Sequence, residues 1–133
     1  MGKGGVMMRE IKFRARSAKT SCSWVYGYFL INQFGEPTIC GKDFAEKIIK
    51  ETVGQYTGLW DKNNVDIYEG DILKRGETTD RVIFEDGAFC IRFYSKGFKN
   101  TYTKTMCEAI KNTRNRWEII GNIYEHKHLL EEK

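Results

Sequence analysis

The chain has one proline and two histidines in 133 residues, and it nowhere approaches the ~20 consecutive apolar residues of a membrane-spanning helix. It carries no G-x-S-x-G elbow, no P-loop and no H-E-x-x-H helix, so the common short signatures of hydrolases, nucleotidases and zinc proteases are missing. Cys22, Cys40, Cys90 and Cys107 are widely spaced, without a C-x-x-C or a nearby histidine pair to complete a zinc site. Reduced, buried thiols are the expectation for them. His126 and His128 stand two positions apart, where a helix would point them to different sides. No metal, cofactor or catalytic residue is therefore expected, and the chain does not read as an enzyme. The start, Met1-Gly-Lys-Gly-Gly-Val-Met-Met8, has no apolar block of the kind a signal peptide needs, and a cytoplasmic protein without membrane contact is expected.

What the chain does have is β-forming residues. Apolar residues make up 41% and aromatics 14%, too rich for a disordered chain, and the length suits one domain with a real core. The dominant hydrophobic period is two, the mark of strands with one buried face. In Ile11-Lys-Phe-Arg-Ala-Arg16 apolar and basic residues alternate. Trp24–Ile31 is a run of β-formers, and Asn32-Gln-Phe-Gly35 reads as a turn into a strand containing Thr38, Ile39 and Cys40. Arg81–Tyr94 reads as a hairpin, with Asp86-Gly87 supplying the positive-φ turn and Phe89, Ile91 and Phe93 on one face. Asp43–Lys50 can be drawn as a short helix capped by Asp43 or as the start of a strand at Ile48 and Ile49. The tail from Glu125 reads as a last helical turn or a fraying end.

Charge is unevenly placed around a formal net of +4. Residues 3–19 hold six basic side chains against Glu10, and residues 96–116 hold six against Glu108, whereas residues 54–95 hold eight acids against five bases. Two readings follow for the basic segments. They are solvated faces of edge strands, where Lys and Arg discourage edge-to-edge pairing, or they form a phosphate-recognising patch. The patch would use Lys12, Arg14, Arg16, Lys96, Lys99, Lys104, Arg114 and Arg116, with Phe98 or Tyr102 stacking on bases. Trp24, Tyr26, Tyr28 and Trp60 are candidate anchors of a protein interface, each with core packing as its plainer role.

The acidic stretch around Asp61 begins like a calcium loop, Asp61-x-Asn63-x-Val65-Asp66. Such a loop needs an oxygen ligand at its fifth position, glycine at its sixth and an acid at its twelfth, and here these are Val65, Asp66 and Ile72. Asp61-Lys-Asn-Asn64 suits a tight turn between apolar arms instead, and Glu69-Gly70-Asp71 a second turn. A catalytic pair of Glu69 and Asp71 lacks a converging third group. These acids are expected to hold turns.

Several linked motifs resemble the YopX family of small phage and prophage proteins: Gln55-Tyr-Thr-Gly-Leu59, Asp61-Lys-Asn, Ile67-Tyr-Glu-Gly-Asp-Ile72, and Ile120-Gly-Asn-Ile-Tyr-Glu125 with Leu129-Leu130. Arg9-Glu-Ile-Lys-Phe-Arg14 and Trp24-Val-Tyr-Gly-Tyr28 are similar to its first strands. Asn64 stands where the family usually has glycine, and Trp60 where it often has a small or charged residue. The resemblance implies a mainly β fold of small twisted antiparallel sheets forming a partial SH3-like barrel, with at most one or two short helices. In it, Ile67–Lys74 and Trp117–Tyr124 would pair. It also implies residues 1–7 as a disordered extension, residues 8–133 as one domain, and a phage- or prophage-encoded protein inside a bacterium. It implies no reaction. The functions left open are an accessory binding or self-assembling module, partnered by its own copies or a phage or host protein, and a sequence-nonspecific nucleic-acid binder using segments 9–19 and 96–116.

Overall fold

A computed structural model describes residues 9–20, 22–94, 102–113 and 116–130. Residues 1–7 lie outside the described residues, as do Lys96, Phe98, Lys99 and Arg114. The chain forms two compact units, Met1–Gly58 and Leu59–Lys133.

The first unit is built on β1 (Phe13–Arg16), β2 (Trp24–Ile31), β3 (Pro37–Cys40), β4 (Ala45–Lys47) and most of β5 (Gly54–Trp60), with a 3-10 turn over Lys50–Thr52. Alternation works here as expected. Phe13, Ala15, Val25, Phe29 and Ile39 point to one face and pack with Ile48 and Val53. β1 and β2 pair antiparallel with Arg14 opposite Tyr26 and Arg16 opposite Trp24, and β2 pairs with β3 with Tyr28 opposite Cys40. The β2–β3 turn is the expected one at Asn32, whose side-chain oxygen accepts from the N–H groups of Phe34 and Glu36, both at 2.9 Å. Gly27 allows β2 and β3 to close, since a Cβ there would stand 2.2 Å from the Cys40 carbonyl oxygen.

One expectation changes in this unit, and one open alternative is decided. β1 is an inner strand, between β2 and β5, so its basic residues are not the guard of an edge. Segment 43–50, open between helix and strand in the sequence, forms the short strand β4 over Ala45–Lys47, which pairs with β3, and Ile48 bridges to Ser17 before the 3-10 turn begins at Lys50.

The second unit holds β6 (Asp66–Tyr68), β7 (Asp71–Arg75), β8 (Thr78–Glu85), β9 (Ala88–Tyr94), β10 (Tyr102–Thr105), a helix α1 (Met106–Thr113), β11 (Glu118–Asn122) and a 3-10 turn over Lys127–Leu130. The sheet order is β10-β9-β8-β7-β11, and the other sheet runs β4-β3-β2-β1-β5-β6. Asp86 and Gly87 take φ of 51° and 80°, and β8 meets β9 from Thr79–Tyr94 to Glu85–Ala88. β7 pairs with β11 as the family pattern implies, with a bulge between Ile119 and Gly121.

Neither sheet closes into a barrel, which corrects the SH3-like expectation. The physical reason lies in α1. Met106 and Ala109 are buried and Ile110 packs beside them, on the cluster of Ile67, Leu73, Val82, Ile91, Phe93 and Trp117. A helix covers this core after β10, and β10 and β11 remain the two edges of their sheet. The thiols are also corrected in part: Cys90 is buried and Cys40 half-buried, but Cys22 and Cys107 are exposed. Cys22 sits in the bend before β2, and Cys107 follows the inward-facing Met106 on α1, so its side chain is turned to solvent.

Candidate binding face

The acidic stretch does hold turns. Asp61, almost wholly buried, accepts from Asn63 N at 2.8 Å and Val65 N at 3.0 Å through Oδ1, and from Ile119 N at 3.1 Å through Oδ2. Asn64 takes φ of 64°, the left-handed conformation that lets it stand in for glycine. Asp71 accepts from Tyr68 N at 2.8 Å. Among the described residues no group of three or more His, Cys, Asp and Glu is placed to hold a metal ion. His126 uses Nδ1 to accept from Asn122 N at 3.1 Å.

The more informative arrangement lies on the first unit's sheet, on the face opposite its core. Register puts Arg14, Arg16, Trp24 and Tyr26 on this face, with Tyr28 and Leu30 continuing the alternation along β2. The Arg14 guanidinium lies 4.5 Å from the Trp24 ring centre and that of Arg16 5.8 Å, and Lys12 Nζ lies 4.7 Å over Tyr56. Arg14 is only 7% exposed, so it supports the face from beneath rather than offering itself to a phosphate. Lys12 is further drawn to Glu10 at 3.4 Å. In contrast, Tyr26 is 50% and Tyr28 67% exposed, and Leu30, Ile31 and Phe34 near the end of the same hairpin are also open to solvent. Two residue classes treated separately in the sequence thus share one surface: aromatic rings outward, cations tucked between and beside them.

The remaining sequence candidates fall in the second unit. Trp60 ends β5 and is exposed, Lys104 lies on the edge strand β10, and Arg116 is exposed just before Trp117. Tyr102 begins β10. Lys96, Lys99 and Arg114, like Phe98, lie outside the described residues.

Sequence reasoning missed one polar group altogether. Asp80 is fully buried on β8, accepts from Trp117 Nε1 at 3.1 Å and lies 3.6 Å from Arg75 Nε. Burial pushes its carboxyl up to about 6, against the lowering pull of Arg75 and the Trp117 hydrogen bond. Its alternation on β8 makes it an inward position, but the indole that receives it is 37 residues away.

These features define a β-rich chain of two small open sheets with an aromatic and cationic face, and no helix among the described residues is long and apolar enough to cross a membrane. The YopX protein family model matches residues 12–131, and the chain belongs to that family of phage and prophage proteins. No curated protein matches the chain.

Proposed function

We propose that the protein is a non-catalytic binding module of the bacterial interior, and that it takes a protein partner on the outer face of β1 and β2. One observation carries this reading: Trp24, Tyr26 and Tyr28 share a sheet face with Arg14 and Arg16, and the two tyrosines stand open to solvent. Tyr, Trp and Arg are the residue types that dominate the energetics of protein interfaces, and rigid rings lose little side-chain entropy on contact. Solvated apolar surface of this extent on a small sheet is stabilised by being covered. The cations beside it favour a partner with acidic groups around an apolar centre. A second copy presenting the same face would set Lys12 and Arg16 against their own equivalents, which disfavours symmetric self-association there.

A random peptide library selected on the wild-type protein and on the Tyr26→Ser/Tyr28→Ser variant tests the reading. Enrichment of sequences pairing aromatic or aliphatic residues with Asp or Glu, lost on the variant, is the expected result. Peptides that bind both proteins equally, or no enrichment, would count against it.

Nucleic acid is the second reading, favoured by Arg16 lying on the same sheet face as the exposed rings of Tyr26 and Tyr28, which could stack on bases. Anisotropy of labelled single-stranded DNA, duplex DNA and RNA separates the two. Binding that falls steeply with salt and is lost in the Tyr26→Ser/Tyr28→Ser variant would put nucleic acid on this face.

A further inference from the structure

Beside β8 in the second unit a groove of about 210 Å³ is lined by Arg81, Phe84, Glu69, Gly70 and Tyr124, among others. Its wall is fixed by backbone bonds, Gly70 N to Val82 O and Ile123 N to Gly70 O, both 2.9 Å. Gly70 has φ of 95°, and a Cβ there would stand 3.1 Å from the Tyr124 ring, so glycine lets that ring form part of the groove. Arg81 on β8 is directly opposite Arg92 on β9, a like-charge pair that strand pairing alone does not favour. Arg92 is neutralised: it donates to Glu85 Oε1 at 3.1 Å and to Thr103 Oγ1 at 3.3 Å. The Arg81 side chain has no hydrogen bond or ion pair among the described residues, and its Nε is buried without an acceptor. A guanidinium nitrogen removed from water and given no acceptor is a destabilised group that an incoming oxyanion would relieve.

From this we infer that the groove is a binding site for a small organic monoanion, a carboxylate joined to a ring, with Arg81 receiving the carboxylate and Phe84 and Tyr124 contacting the ring. The choice of a monoanion follows from Arg81, the one cationic side chain among the described lining residues, which matches a single negative charge. The ring follows from Phe84, an exposed residue of the lining whose ring neighbour among the described residues is Phe89 at 5.1 Å. The size follows from the volume, which is below the ~300–1,000 Å³ of drug-sized pockets and admits a single substituted ring. The site lies wholly in the second unit and stands or falls independently of the proposed protein-binding face.

Benzoate, acetate and inorganic phosphate, titrated against the full chain with the melting temperature and amide shifts as readouts, test the inference. Benzoate is expected to bind saturably with a Kd on the order of 1 mM, as fits so small a ligand, with acetate and phosphate several-fold weaker. Arg81→Gln should weaken benzoate by about tenfold or more, while its melting temperature without ligand should stay at or above that of wild type. Arg81→Lys and Phe84→Ala should each weaken benzoate and leave the fold intact, and they decide the matter if Arg81→Gln does not fold. No saturable response to benzoate, or an affinity unchanged in these variants, would overturn the inference.

Discussion

Asp80 illustrates what a single buried carboxyl does to this fold. Its pKa stands at about 6 in the folded chain against 3.8 ordinarily, so the folded state holds the proton more tightly than the unfolded state. Its contribution to stability is therefore fully present below 3.8 and is lost as pH rises through about 6, a change on the order of 3 kcal/mol. Urea unfolding of wild type and Asp80→Asn should show the wild type losing roughly that much relative to the variant between about pH 4 and about pH 8. A difference that does not vary with pH would show that burial leaves this carboxyl unperturbed. Asp61 makes the opposite case, since its three backbone N–H partners would lose their acceptor together in Asp61→Ala. The loss expected is roughly 3 kcal/mol or more, read as a fall in the urea midpoint, with Asp61→Asn in between. Asp61 was legible in the sequence because two of its partners are within four residues, as turn chemistry requires. Asp80 was not, because its burial depends on strand pairing and on an indole delivered from a distant strand.

At the scale of elements, legibility followed the range of the interactions. The Asp86-Gly87 hairpin and the Asn32 turn are set by adjacent residues and could be read directly. The position of α1 could have been read too, because Thr105-Met-Cys-Glu108 is a capping-box pattern and Met106, Ala109 and Ile110 repeat at helical spacing. Thr105 Oγ1 accepts from Glu108 N at 3.2 Å, so Thr105→Ala should lower stability by about 0.5–2 kcal/mol in chemical unfolding. No change would mean that α1 is held by packing on Met106 and Ala109 alone. Segment 43–50 was ambiguous locally, and pairing of β4 with β3 decided it. Barrel closure is a property of the whole strand order, which no single motif encodes.

For the molecule as a whole, the candidate face was legible in parts but not in assembly. The alternation in β1 and β2 identifies which residues share a face within each strand, but only the antiparallel register sets Arg16 against Trp24 and Arg14 against Tyr26. That register leaves Arg14 buried and the rings of Tyr26 and Tyr28 facing outward. Because these rings face solvent, Tyr26→Ser/Tyr28→Ser should change unfolding free energy by less than about 1 kcal/mol while abolishing partner binding. A large stability loss on substitution would identify the rings as packing groups instead.

The most direct test of the binding face is a map of amide chemical shifts on titration with an acidic, aromatic peptide recovered from selection on the wild-type protein. The account predicts that the perturbed residues cluster on β1 and β2, at Lys12 to Arg16 and Trp24 to Leu30, within the first unit. A cluster confined to Leu59–Lys133 would contradict it and move the binding function to the second unit.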